Sequence, residues 1–340
     1  MNGSNSNDDF RDPWLRPFTQ ESIWNMPIGE GAVYKPVNFE AASNVGVDIQ
    51  HLLITSTSDP ERVVLSSPGF GTGRCSGSID LGFSIRVPDN WIVPDAGNSP
   101  YGNTPNSNFA ILLPNGEDVF EGSVIARCES GGPIHLPEWM KYENNRKISS
   151  LKSNGLEGGG QGASGMSALG GTIRLGELIN DEPIRHAIKI NPWAEKIVHY
   201  SEEYPGWKWP AISADNYASS LYNKNADSDI LMGSLFAIPP EATIESTGIT
   251  TKAAQKLFFA LQNYGVYFTE DAAWDTWDII VERNVELEFE QEYGFSMNSD
   301  IWKSELNMLM QSLYVITNNS PASIGGGGTP REPLAPDFSN

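Results

Sequence analysis

Arg174, Glu177 and His186 place three different chemistries within thirteen positions of one another. An Arg can polarise an oxyanion, a carboxylate can give or take a proton, and an imidazole can do either near neutrality. The flanks Thr172-Ile173-Arg174-Leu175 and Ile184-Arg185-His186-Ala187-Ile188 read as strands, so an inward Arg174 and a His on an apolar face are expected. The plainer reading is structural. A buried Arg needs a carboxylate, for which Glu177 is nearest in sequence, and a His among Ile184 and Ile188 is more often a satisfied core residue.

A second group, Glu270-Asp271-Ala272-Ala273-Trp274-Asp275-Thr276-Trp277-Asp278, sets carboxylates beside Trp. Sugar rings stack their CH faces on aromatics and bond their hydroxyls to acids. Two opposed carboxyls can also hydrolyse a glycosidic bond. A solvated acidic loop carrying core Trp explains the same residues about as well. A third group is aromatic: Tyr200, Tyr204, Trp207, Trp209, Tyr217 and Tyr222, interleaved with Pro205, Gly206 and Pro210. It reads either as a binding platform or as a packed cap over a sheet.

Other chemistries have less support. Asn223, Asn225, Asp227 and Asp229 stand at alternate positions like a calcium loop. Ser228 stands where the mid-loop Gly belongs and Ser234 where the bidentate Glu belongs, so calcium there is a minor reading and no cofactor is expected. His51, His135, His186 and His199 lack zinc spacing. Gly162-Ala163-Ser164-Gly165 falls short of G-x-S-x-G. The Gly-rich stretch 153–171 has no Lys-Ser/Thr, so it is no phosphate cradle. A backbone that approaches a ligand closely is slightly preferred to a flexible loop.

The elements that must position these groups are short. Val63-Val64-Leu65, Ile79 to Val87, Phe109 to Leu113, Val266 to Phe268 and Trp277 to Val281 read as strands. Pro114-Asn115-Gly116 before Val119-Phe120-Glu121 reads as a hairpin turn. A helix is expected over 250–264, capped by Thr250 or Thr251 and stopped by Gly265, with a shorter one over 304–315. The expected fold is mainly β, a β-sandwich resembling a jelly roll, with a few peripheral α-helices and long aromatic loops. A Pro-rich arm over 1–50, pinned by Trp14, Phe18, Trp24 and Tyr34, precedes a single β-rich domain over 51–317. A Gly/Pro-rich arm over 318–340 follows.

Of the 340 residues, 39% are hydrophobic and 19% charged, which excludes general disorder. The net charge of −21 repels phosphate backbones and anionic membrane surfaces, so neither a nucleic-acid partner nor membrane insertion is expected. The first residues carry no signal peptide, while sparse Lys and abundant Asn, Ser, Gly and Trp suit an exported protein whose leader has been removed. Whether Cys75 and Cys128 pair as a disulfide or lie as two buried thiols is left open by the sequence.

An ordered set of short motifs spans most of the chain: Arg16-Pro17-Phe18, Ser22-Ile23-Trp24-Asn25, Phe120-Glu121, Ser164-Gly165-Met166, Ile173-Arg174 with Glu177, Ile184-Arg185-His186-Ala187, Trp209-Pro210-Ala211, Met232-Gly233, Tyr264-Gly265 and Asp271. In these the chain resembles a broad group of largely uncharacterised, mostly exported bacterial proteins. The resemblance implies kinship rather than an activity. It draws Glu121, Arg174, Glu177, His186 and Asp271 toward one groove. Many of that group carry Asp-x-His before the aromatic-Glu. Asn106-Ser107-Asn108 stands there instead, which implies a degenerate or binding-only member if that His is chemical elsewhere.

The expected function is a secreted or cell-surface polysaccharide-active protein, most simply a glycoside hydrolase. Glu121, Glu177 and Asp271 would act as acid and base, and His186 and Arg174 would orient or polarise. Trp207, Trp209, Tyr217 and Trp274 would bind the glycan. A non-catalytic glycan-binding or cell-surface structural protein, self-assembling through its terminal arms, is the alternative from another class. A polysaccharide lyase, with Arg174 neutralising a uronate, is the third reading.

Overall fold

The computed structural model describes residues 10–97, 104–143 and 146–338. The first nine residues of the expected N-terminal arm and the last two of the C-terminal arm lie outside the described residues. Among the described residues, fifteen strands and six α-helices follow one another. The strands are β1 (Tyr34–Pro36), β2 (Asn44–Ile54), β3 (Glu61–Ser67), β4 (Asp80–Arg86), β5 (Asn108–Leu112), β6 (Asp118–Gly122), β7 (Ile134–Pro137), β8 (Lys147–Ser150), β9 (Gly160–Gln161), β10 (Met166–Ser167), β11 (Ile188–Pro192), β12 (Leu235–Ala237), β13 (Val266–Phe268), β14 (Thr276–Glu282) and β15 (Tyr314–Ile316). The helices are α1 (Ala194–Ile197), α2 (Ala218–Leu221), α3 (Ile244–Thr247), α4 (Lys252–Asn263), α5 (Val285–Tyr293) and α6 (Asp300–Gln311).

The fold is mainly β. Ten strands form one mixed sheet in the order β1-β15-β12-β13-β11-β14-β2-β5-β6-β8, and β4-β3-β7 form a second sheet. The two sheets face each other over Val64, Leu81 and Ile85 on one side and Phe109, Ile111 and Phe120 on the other, which makes this end sandwich-like. Phe109 and Phe120 meet edge to face at 5.2 Å. At the other end of the large sheet, α4 and α6 supply the second layer. Ala254, Leu257 and Leu261 lie at helical spacing and share a core with Leu306, Met310, Val266 and Phe268. Thr251 caps α4 by accepting from the Ala254 N–H, and Gly265, at φ 82°, follows its end.

Some sequence expectations shift. The boundary expected at residue 50 falls inside β2, which lies between β14 and β5 in the large sheet. Residues 172–175 form no strand; only Ile173 bridges to Val281. The strand expected from Ile184 begins at Ile188, so His186 precedes it. The two arms pair with each other: Arg11 N–H donates to Asp337 O, and Arg331 N–H to Ile28 O. Cys75 and Cys128 form a disulfide across 53 residues of chain. Among the described residues no helix is long and apolar enough to cross a membrane.

Candidate functional site

Strand pairing itself opens the site. Over residues 44–49, β2 is hydrogen-bonded to β14; β5 joins its other side only at Gln50, opposite Asn108. The gap alongside Val45–Ile49 is the inner wall of a cleft of about 950 Å³. Period-two alternation places Gly46, Asp48 and Gln50 on one face of β2. The register extends that face sideways: Asn191 lies opposite Asp278, Asp278 opposite Gly46, and Gln50 opposite Asn108. A polar row through the middle of a sheet is costly unless every group is satisfied or used.

Asp48 and Glu270 form the floor. Asn191 donates to Oδ2 of Asp48 at 3.3 Å. Glu270, on the loop leaving β13, accepts from Asn106 at 2.6 Å, Asn108 at 3.4 Å and Gln161 at 3.2 Å. Burial pushes Asp48 up to about 6, against the pull of the Lys189 ammonium. Burial pushes Glu270 well above the usual carboxylate range, with the Asp48 and Asp215 charges adding to the effect. Burial also pushes Asp271 and Asp278 to about 7. Asp271 accepts from Ala194 N–H at 2.7 Å and from the Tyr217 hydroxyl at 3.0 Å. Trp274 and Tyr217 stand on the cleft wall.

Lys189 lies behind this floor. It is fully buried, donates to the carbonyls of Ser167 and Ala168 at 2.9 and 3.0 Å, and is held down to about 7 by burial. Glu121 is equally buried and is raised by desolvation. It accepts from the Ser149 and Ser167 hydroxyls (2.7 Å each) and from the Ala168 and Leu169 N–H groups. The Gly-rich stretch packs against these acids. A Cβ at Gly158 would lie 2.2 Å from Glu121 Oε1, and one at Gly162 2.0 Å from Glu270 Cδ. Gly162 and Ala163 also line the cleft.

The structure separates the residues expected in one groove. Asp271, Tyr217 and Trp274 line the cleft, whereas Glu121 sits beneath it with four donors. Arg174, Glu177 and His186 cluster elsewhere. Arg174 Nε pairs with Glu282 at 2.8 Å, and its Nη1 donates to Trp14 O at 2.6 Å. The partner of the Arg174 guanidinium is thus Glu282. Glu177 instead accepts from the Arg174 backbone N–H at 2.7 Å and from His186 Nε2 at 3.1 Å. Its carboxyl is lowered because His186 and these donors outweigh its burial. The hollow beside this cluster, walled by Arg16, Trp24 and Arg174, is about 10 Å³, room for roughly one water. Trp207 and Trp209 are half-buried against the main core, and Trp207 bridges to Met232.

At the loop weighed for calcium, Lys35 Nζ bonds Asp227 and Asp229 at 2.7 and 2.8 Å. No group of three or more His, Cys, Asp or Glu suited to a metal occurs among the described residues. Asp48 is the site residue that the sequence did not single out for chemistry; Glu270 opens the acidic, Trp-bearing run 270–278 but was not assigned a role of its own. The signal was an Asp inside the alternating run Val45-Gly46-Val47-Asp48-Ile49, at a position where a buried strand seldom tolerates charge.

No protein-family model matches the chain, and neither a curated protein nor a solved structure matches it.

Proposed function

We propose that the protein is an exported glycoside hydrolase whose chemistry runs at Asp48 and Glu270. The observation that carries this reading is a pair of buried carboxyls on one cleft floor in environments that push their proton affinities apart. Glu270, touched only by neutral amides, keeps its proton and acts as general acid. It gives that proton to the glycosidic oxygen as the bond to the anomeric carbon breaks. Asp48, beside the charge of Lys189, ionises first and serves the opposite face of the sugar, as base to water or as nucleophile. Asp271 and Tyr217 hold the substrate from the wall, with Trp274 offering a stacking face. The disulfide supports an oxidising compartment.

The test is a polysaccharide panel read for new reducing ends and for unsaturated uronate, with wild type beside Asp48→Asn and Glu270→Gln. Reducing ends from wild type alone uphold the proposal. Silence from a folded wild type that still binds glycan rejects it in favour of a binding protein. One observation favours that second reading: the amides of Asn106, Asn108 and Gln161 already occupy the oxygens of Glu270. The lyase reading has no such support, since no Lys, Arg or His lines the cleft among the described residues to neutralise a uronate.

A further inference from the structure

The cleft takes six carboxyls on its lining, from Asp48, Asp215, Glu270, Asp271, Asp278 and Glu286, and no basic side chain among the described residues. Lys189 does not change this balance at the surface, because its ammonium is buried and bonded to two backbone carbonyls. A second observation points the same way. Oε2 of Glu286, a residue of the cleft lining, is buried and has no hydrogen-bond partner. The cleft therefore has a carboxyl acceptor to spare and no basic side chain to fill it among the described residues. An unfilled acceptor in a closed environment costs about 1–3 kcal/mol, which a ligand bearing donors would recover.

Resting on the glycosidase reading above, we infer that the substrate is a glycan carrying free amino groups, a polymer of unacetylated hexosamine. Ammonium groups bring three donors each to that acceptor, and a positive charge to a cleft lined by no basic side chain among the described residues. Trp274 and Tyr217 on the wall favour a sugar over a simple polyamine, because a flat ring face needs an aromatic partner.

Titration calorimetry at about pH 7, where Asp48 is ionised and an amine of roughly α-amino proton affinity is still mostly protonated, would use four probes on Glu270→Gln: a glucosamine hexasaccharide, its N-acetylated counterpart, an oligogalacturonate and a lysine-rich peptide. Reducing-end release would be followed on wild type in parallel. The expected result is roughly tenfold tighter binding of the glucosamine oligosaccharide than of the acetylated one, weakening with salt. Asp278→Asn should lower the first affinity by a similar factor and leave the second unchanged. Equal or reversed preference together with turnover overturns the inference while the hydrolase reading stands. Binding of the glucosamine oligosaccharide without turnover of any glycan upholds the ligand class and removes the hydrolase. No binding of any probe removes both. A lysine-rich peptide that binds as tightly overturns the inference in favour of a general cation cleft.

Discussion

Asn106 donates to Oε1 of Glu270 at 2.6 Å, joining the segment before β5 to the loop after β13 across 164 residues of chain. The bond fixes the Glu270 carboxyl without supplying charge. A Lys or Arg in that place would hold Glu270 ionised; an amide stabilises its position and leaves its proton affinity high. The same neutral treatment comes from Asn108 and Gln161, so the acid of the proposed reaction is set by three amides rather than by one partner.

The pH profile of turnover follows from this arrangement. The rising limb should track ionisation of Asp48 at about 6, and the falling limb loss of the Glu270 proton well above the usual carboxylate range. Glu270→Gln should lower kcat by roughly three orders of magnitude and abolish the falling limb. A profile with no rising limb between pH 5 and 7, measured as kcat/KM on a cleaved glycan, would dissociate Asp48 from the reaction.

Stability should depend on pH in a stated sense. Asp48, Asp271 and Asp278 are raised to between about 6 and 7, and Glu270 is raised well above the usual carboxylate range. The folded state therefore binds more protons than the unfolded one above about pH 4. The stability these groups contribute is complete below their unfolded values and is lost as pH rises through their folded ones. His51, held down to about 3 by burial, works the other way, but it is one group against four. Lys189, at about 7, acts only above that pH. The melting temperature should fall between pH 5 and 7, and Asp278→Asn should flatten the fall, gaining roughly 3 °C at pH 7. An unchanged slope in the variant would show that Asp278 does not titrate with folding.

The Arg174 cluster offers a direct comparison of two site positions. Arg174 is buried between Glu282 and the Trp14 carbonyl, so Arg174→Ala strands a carboxylate and unpins the N-terminal arm. The expected cost is about 3 kcal/mol. If the cleft alone carries the chemistry, His186→Gln lowers the melting temperature yet leaves kcat within about twofold. A loss of kcat with the fold intact would return the reaction to Glu177 and His186.

The difference between what was legible and what was not is physical. Helix α4 and the β5–β6 hairpin are written in local signals: a Thr cap with apolar spacing, and Pro114-Asn115-Gly116 between two apolar runs. Glu270, Asp271 and Trp274 were legible because carboxylates and Trp sit together over 270–278, and Tyr217 because it falls in the aromatic run 200–222. Asp48 was not, because the Pro-rich start of the chain hid that 44–54 is an interior strand. Its neighbour in the site, Glu270, lies more than two hundred residues away. The partner of Arg174 was misjudged for the same reason: sequence distance favoured Glu177, while the bridge from Ile173 to Val281 brings Glu282 alongside.

The Cys75–Cys128 bond closes a loop with a sequence separation of 53. Chain-entropy arguments give such a loop about 4 kcal/mol of stabilisation through the unfolded state. The double variant Cys75→Ala/Cys128→Ala should lose about that much in denaturant unfolding. Intact mass under non-reducing conditions checks the bond itself. A mass showing two free thiols in freshly isolated protein would contradict it.

Gly162 tests whether Glu270 must stand where it does. The residue has φ +41°, and a side chain there would reach 2.0 Å from Glu270 Cδ, within the carboxyl group itself. Gly162→Ala must push Glu270 off the amides of Asn106, Asn108 and Gln161, or move the loop between β9 and β10. Either change displaces the acid by more than the fraction of an ångström that proton transfer tolerates. The expected loss in kcat is roughly a hundredfold, with KM for the same glycan little altered, since the Trp274 wall is untouched. Global stability should fall by about 1–3 kcal/mol from backbone strain at this single position. Full activity in the folded variant would mean that the position of Glu270 is immaterial, and with it the assignment of Glu270 as the acid would fail.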